Sequence, residues 1–536
     1  MKKQLSLLLA AVMAAATLMG CSRNTSGNNS ASTAGSSAAT ESTDASPDSS
    51  SQASSETSTA TSELKGPGNV TLSFLGFSLD FDPNTDVMAG VIEDTTGYHA
   101  EYSMLPSDGA DEKLIADVAG GVDYDILKVT VDQFQKLQAQ GALQSLNDLL
   151  DSYGQDIVSG LADENMWTAF SDDDGNIYGI PFMNEYPRQI GFITCRKDLM
   201  EAAGITELPT TRDDFYNCLV TLKNYYGDDY IILSAANGWD AVCKCIAASF
   251  GIYNDWMVDE NGQVFYMTEH ENFDDYINFM KKLYDEGLLD SEFAVNMDDT
   301  VHEKLSSGRA IMGGSDHSAQ IAISTSLIDN LGLSLDEIGY ICPLEGPDGT
   351  CTILAGDSVN YVTCIPKSSE NAADVINYIN LKVQNQEYIC IGEEGVHFEF
   401  DEAGNYIPIM PTFTDEKGNA WWYINATDTE TYAKQWLARV RKSDYQWDAF
   451  EKTTIYTEEN HPDIYVDNVF LYKPATGAYT ENNTALKNDL FNYMIQVIVG
   501  TNDMDNGMTT FQNDWTAAGG EDVRTDLQTW YTGYYE

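Results

Sequence analysis

A chain of 536 residues with 28 lysines and arginines against 84 aspartates and glutamates carries a formal net charge of −56. A field of that sign argues against nucleic acid and anionic membrane surface as partners of the folded part. The length exceeds what one simple core organises, so two lobes are predicted.

At the N-terminus Lys2 and Lys3 precede an unbroken apolar run from Leu7 to Ala16. The run is too short for a permanent span and is followed by small residues, the pattern of a secretory signal over residues 1–20. Leu18-Met19-Gly20-Cys21 resembles a bacterial lipobox, which implies cleavage before Cys21 and diacylation of that cysteine. Two acyl chains anchor stably where one binds only marginally. From Ser22 to Lys65 the chain is mostly Ser, Thr, Ala, Asn and Gly, with Leu64 as its one large aliphatic. Such a segment cannot offset its ordering entropy by burial, so residues 21–67 read as a lipidated cysteine followed by a flexible linker. No later segment is long and apolar enough to cross a bilayer, and the lipid is the only attachment expected.

Beyond Gly68 short strands alternate with amphipathic helices. Strands are predicted over Val70–Phe74, Tyr98–Met104 and Tyr124–Val129, with helices near Asp86–Asp94 and Glu112–Ala119 and a third from Val131. Strand and helix in turn imply parallel βαβ units and an α/β fold. A second set begins with a strand at Gly191–Cys195 and a helix from Arg196 to Ala203, closed by Gly204. Pro209-Thr210-Thr211 opens the next helix, with one of the threonines as its cap. Phe273, Tyr276, Ile277, Met280, Leu283 and Tyr284 recur at helical spacing before Gly287, a buried stripe. Ala372, Val375, Ile376, Ile379 and Val383 form another, and Leu486, Leu490, Met494 and Val497 a last one, stopped at Gly500.

Eight cysteines follow Cys21, and outside the cell an even number permits disulfides; Cys342 and Cys351 bracket a Gly-Pro-Asp-Gly turn suited to a bridge. The others sit in apolar stretches, where free thiols pack as small hydrophobes. Cys243-Lys244-Cys245 lacks the spacing of a zinc knuckle. Asp172–Asn176 and Asp259–Gly262 open like calcium loops, but the twelfth positions are Met183 and His270 rather than Glu, so both read as hairpin turns. No cofactor is expected, with a structural calcium left open.

Several motifs in fixed order resemble the extracellular solute-binding lipoproteins of ABC sugar importers. They are Asp174-Gly175-Asn176-Ile177-Tyr178-Gly179-Ile180-Pro181, Arg196-Lys197-Asp198-Leu199 with Pro209-Thr210-Thr211 and Phe215, Leu283–Leu289, and Gly308-Arg309-Ala310-Ile311-Met312. Gly395–Glu399 before the Asp401–Tyr406 turn, and Trp515 with Gly519-Gly520, resemble the larger, oligosaccharide-binding branch. The resemblance implies a two-lobe, periplasmic-binding-protein-like α/β fold with hinge-crossing strands and a ligand cleft between the lobes. It divides the body into a first lobe over 68–184, a second over 185–360, and a return over 361–536 that packs helices on both. It also implies a monomeric receptor, lipid-anchored outside the cytoplasm, that closes on an oligosaccharide and delivers it to membrane permease subunits.

Sugars present apolar faces and hydroxyl rims, so aromatic platforms beside polar groups are the candidates. Phe77 and Asp80 follow the first strand, in a loop that lines the cleft by resemblance. Lys128 ends the Tyr124 strand, where crevices open in α/β sheets. Glu185 and Arg188 lie in the first crossing, to hold ligand or lock the hinge. Trp239 and Asp240 follow the Asn237-Gly238 turn. Asp316 and His317 stand where relatives place a stacking aromatic, which favours hydrogen bonding there instead. Glu394 and His397 flank Gly395. Trp421 and Trp422 begin the most aromatic run, where an extended segment would turn one indole inward as a platform. No nucleophile elbow, His-Glu-x-x-His or phosphate loop is present. The alternatives to a transport receptor are a surface glycoside hydrolase, whose carboxylate pair 84 acidic residues could hide, and a polysaccharide-binding lipoprotein without a closed state.

Overall fold

A computed structural model describes residues 63–535 except 162, 164, 184–187, 189, 357–358 and 475. The signal segment, Cys21 and Glu185 lie outside the described residues. In chain order the strands are β1 (Thr71–Gly76), β2 (His99–Met104), β3 (Ile126–Val129), β4 (Ile180–Met183), β5 (Phe192–Arg196), β6 (Ile231–Ser234), β7 (Trp256–Val258) and β8 (Val264–Tyr266). They continue as β9 (Ala310–Ser315), β10 (Ile338–Ile341), β11 (Ile353–Leu354), β12 (Val359–Cys364), β13 (Phe398–Phe400), β14 (Tyr406–Pro408) and β15 (Tyr465–Val466).

The first lobe is built on the sheet β2-β1-β3-β12-β4. β1 runs parallel to β2 and β3, as alternating strand and helix dictate. β12 runs antiparallel to both β3 and β4, so the sheet is mixed rather than all parallel. The reason is connectivity: β12 is reached only after the chain has built the second sheet, and it enters from that side. The second lobe carries β10-β5-β9-β6, in which β5 is antiparallel to both neighbours and β6 is parallel to β9.

Local chemistry fixes the helix ends. Asp86 accepts from the Met88 N–H at the start of helix Val87–Thr96, and Gly97 closes it with φ 73°. Thr130 and Gln133 make a reciprocal capping box at helix Val131–Ala139. Thr211 is the cap of helix Arg212–Tyr226, its Oγ1 accepting from Asp214 N–H at 3.1 Å. The stripe Phe273, Tyr276, Ile277, Met280 and Leu283 is buried along helix Phe273–Asp285, each side chain contributing about 1.5–3 kcal/mol of transfer free energy. Both Asp-Gly segments are tight turns: Asp259 accepts from Asn261 and Gln263 N–H between β7 and β8, and Asp172 from Asp174 and Asn176 N–H. Their carboxylates are engaged by their own loops, and the described residues contain no group of three or more His, Cys, Asp or Glu that could hold a metal.

The final third of the chain serves both lobes. Tyr432 and Ala438 of helix Thr429–Val440 belong to the first core, and Ala449 of the next helix to the second. β15 pairs in parallel with β11. Helix Gly477–Ile498 then buries Leu486, Leu490, Met494 and Val497 against the second core. All eight described cysteines are free, so the bridge anticipated between Cys342 and Cys351 is not formed. The neighbouring Cys245 thiol and burial together push the Cys342 thiol up.

Candidate functional site

The first sheet's C-terminal edge carries an aromatic stack assembled from three distant segments. Phe77, just past β1, lies 4.2 Å from Tyr361 of β12 at an interplanar angle of 10°. It lies 5.3 Å from Trp421 at 27°. Trp421 and Trp422 sit on a helical turn, Ala420–Tyr423, rather than on the extended segment expected. Two buried ammonium groups explain the difference. Lys128 Nζ donates to the carbonyls of Trp421 (2.9 Å), Trp422 (3.0 Å) and Ile424 (2.6 Å), and Lys382 Nζ to Tyr423 (2.8 Å). Carbonyls gathered on cations in this way require the chain to curl, as at a helix C-terminus.

Lys128, placed on the cleft by its position at a strand end, is therefore fully buried and serves the turn from behind. Trp422 is also fully buried, donating from Nε1 to Phe77 O at 3.3 Å and packing edge-on to Tyr102 and Tyr423. Trp421 is half-buried.

The Trp421 side chain lines a cavity of about 220 Å³. Phe182, Tyr361 and Trp421 form its first-lobe wall and His317 and Ser318 its second-lobe wall, with Trp436, Arg439 and Lys442 from the return segment. The His317 ring is 8% exposed and meets Trp436 and Phe450 edge-on at 5.9 and 5.2 Å. Burial holds its imidazole below the usual value, hence neutral near pH 7. Asp316 is exposed, its Oδ1 accepting from Ser318 and Ala319 N–H.

Two further cavities share Lys487. One, of about 350 Å³, lies between Asp132, Gln135, Phe170 and Val359 of the first lobe and Asn483, Lys487 and Phe491 of the helix on the second. It meets β12 at Val359, two residues from Tyr361. The other, of about 320 Å³, is lined by Trp239, Lys244, Asn254 and Lys487 beside the crossing residues Ile353–Leu354. Trp239 is half-buried there, edge-on to Tyr276 at 6.3 Å.

The remaining candidates fall elsewhere. Asp240 is the buried cap of helix Ala241–Ala248, accepting from Cys243 and Ala236 N–H at 2.8 Å each, and burial pushes its carboxyl up to about 6. Arg188 lies over the Tyr465 ring at 5.2 Å, joining the first crossing to β15. Asp80 is exposed on the loop after Phe77. Glu394 is exposed beside the β13–β14 hairpin. His397 is buried there, its Nδ1 accepting from Glu393 N–H at 3.0 Å and its Nε2 paired with Glu416 at 3.0 Å. Neither Glu394 nor His397 lines the three cavities.

Tyr361, Trp436, Arg439 and Lys442 line the cavity without being among the residues the sequence singles out. A signal existed for the last two: Arg439-Val440-Arg441-Lys442 is three bases in four positions of a strongly acidic chain.

A family model described as bacterial extracellular solute-binding protein matches residues 84–385. Lipoprotein LipO of Bacillus subtilis is 26% identical over 470 residues, 82% of this chain and 88% of that one. The structure of the ABC-transporter substrate-binding protein FusA of Streptococcus pneumoniae, in complex with kestose, superposes with a TM-score of 0.66 at 18% identity over 87% of this chain and 99% of that one. That of the alginate-binding protein AlgQ2 gives 0.68 at 16% identity over 86% and 98%.

Proposed function

The chain belongs to the family of bacterial extracellular solute-binding proteins, and from that premise we propose that it captures an oligosaccharide between its lobes. It then hands the sugar, unchanged, to the permease of an ABC transporter. The observation that carries the reading is the cavity walled by Tyr361 and Trp421 on one lobe and His317 and Ser318 on the other. Aromatic faces matched to apolar sugar faces, with polar groups at the rim, are what a pyranose or furanose ring needs. Walls drawn from two lobes make occupancy favour a closed form, which a permease can recognise. Kestose binding by the similar FusA supports a short oligosaccharide as the ligand class. The chain acts as a monomer, tethered outside the cytoplasm by lipid on Cys21, and the lipoprotein relative supports that placement.

The test is thermal shift and small-angle scattering with fructan, uronide and plant-wall oligosaccharides. A binding sugar raises the melting temperature, because it binds only the native state, and reduces the radius of gyration at saturation. Trp421→Ala abolishes the shift with little change in the apoprotein's melting; Trp239→Ala reports in the same way on the neighbouring cavity. Turnover of the sugar, or saturation without compaction, rejects the transport receptor in favour of a hydrolase or a static binder.

A further inference from the structure

The cavity beside Trp421 has a charge character opposite to that of the chain around it. Acidic residues outnumber basic ones three to one, 84 to 28, yet among the described residues the cavity lining includes Arg439 and Lys442 and no carboxylate. Three carboxylates close to the lining residues in sequence are engaged elsewhere, and a fourth, Asp444, is exposed at the start of the helix after Lys442. Asp316 accepts from its own loop, Asp448 pairs with Lys452 at 2.6 Å, and Glu416 pairs with His397.

The two bases differ in what they already do. Arg439 donates to the carbonyls of Lys417 (3.0 Å) and Gly418 (2.7 Å), which fix the guanidinium as part of the wall. Lys442 is half-buried at the same cavity, and among the described residues it has no hydrogen-bonding or ion-pair partner. A partly desolvated ammonium beside a fixed guanidinium is an unfavourable arrangement in the empty protein. Burial and the Arg439 charge accordingly push its affinity for a proton down, to a pKa of about 8. An anion entering between the aromatic walls removes that cost, and a neutral hydroxyl does so far less completely.

Building on the reading of this cavity as a sugar site, we propose that it takes an anionic sugar unit, whose acidic group pairs with Lys442 while its ring lies against Trp421. The acidic group is a uronate carboxylate or a sulfate ester, both singly charged and compatible with one ammonium. Lys442 is then a specificity-determining residue: it selects the charged sugar over its uncharged isostere.

The experiment is isothermal titration of the full chain with two pairs of sugars and one neutral reference. Trigalacturonate is set against its methyl ester, a sulfated galactan trisaccharide against its desulfated form, and kestose is the reference. The inference expects the charged member of one pair to bind at least tenfold tighter than its uncharged partner. It expects Lys442→Gln to bring the two within about twofold, and Lys442→Arg, a check on folding, to keep the preference. The pair that responds identifies the acid. Equal affinity within every binding pair, or a Lys442→Gln loss shared equally by both members, overturns the inference. Kestose binding with neither charged sugar binding also overturns it while leaving the oligosaccharide receptor standing. Failure of all five sugars overturns both.

Discussion

At the scale of single residues, Lys442 gives the site a pH dependence of definite sign. Its ammonium, with a free-protein pKa of about 8, is charged at neutral pH and loses its proton as the pH rises through that value. Buried His317 is already neutral below this range, and burial raises the Tyr361 phenol above its usual value. Preference for an acidic sugar over its uncharged counterpart is therefore expected to hold steady from pH 6 to 7.5. It falls between roughly pH 8 and 10, with the upper edge displaced upward because a bound anion stabilises the ammonium. Lys442→Arg flattens the profile. Titration at five pH values checks this, and a preference that persists at pH 10 in the unaltered protein removes Lys442 from the role. The same residue illustrates what the sequence holds and what it hides. The basic run 439–442 is visible in the string, but its neighbours Tyr361, His317 and Trp421 lie 21 to 125 positions away, and no local periodicity encodes that meeting. His397 shows the converse: the turn at Gly395 was legible, but the partners that bury the ring, Glu393 N–H and Glu416, were not.

At the scale of elements, caps and stripes were read correctly because they depend on neighbours within one or two turns. Thr211 and the Phe273–Leu283 face needed only local chemistry. The turn Ala420–Tyr423 failed for the opposite reason, since its curl is set by Lys128 and Lys382, some 290 and 40 residues back. A strand-end position says where Lys128 is but not which way its side chain points, and β12 with the aromatic turn behind it decides the latter. Lys128→Met is thus a test of the element. It strips three carbonyls of a charged donor inside the core and is expected to destabilise the protein by about 3–5 kcal/mol in urea unfolding. Trp421 should become more exposed to collisional quenchers of its fluorescence as the turn loosens. Stability retained within about 1 kcal/mol alongside lost sugar affinity would instead put Lys128 on the cleft, where the sequence pointed.

At the scale of the whole molecule, the two-lobe α/β architecture was legible in the alternation of strand and helix and in the order of motifs. The antiparallel entry of β12 was not, because it follows from the path of the chain rather than from any segment's own pattern, and the sharing of the last third between lobes was implied by the resemblance alone. The global charge then sets up a contest between long and short range. A field from a net −56 repels an acidic sugar at a distance, while Lys442 attracts it at contact. Salt weakens both, but unequally. The Debye length falls from about 30 Å at 10 mM to about 8 Å at 150 mM, which removes the distant repulsion and leaves a half-buried ion pair less affected. The association rate of a triply charged sugar such as trigalacturonate is therefore expected to rise with salt over that range, by up to about tenfold. The dissociation rate rises by less, and the methyl ester shows neither change. Stopped-flow tryptophan fluorescence at four salt concentrations measures these rates. An association rate that falls with salt would mean that the local positive cavity governs encounter as well as contact, and that the acidic surface stands too far from the entrance to matter.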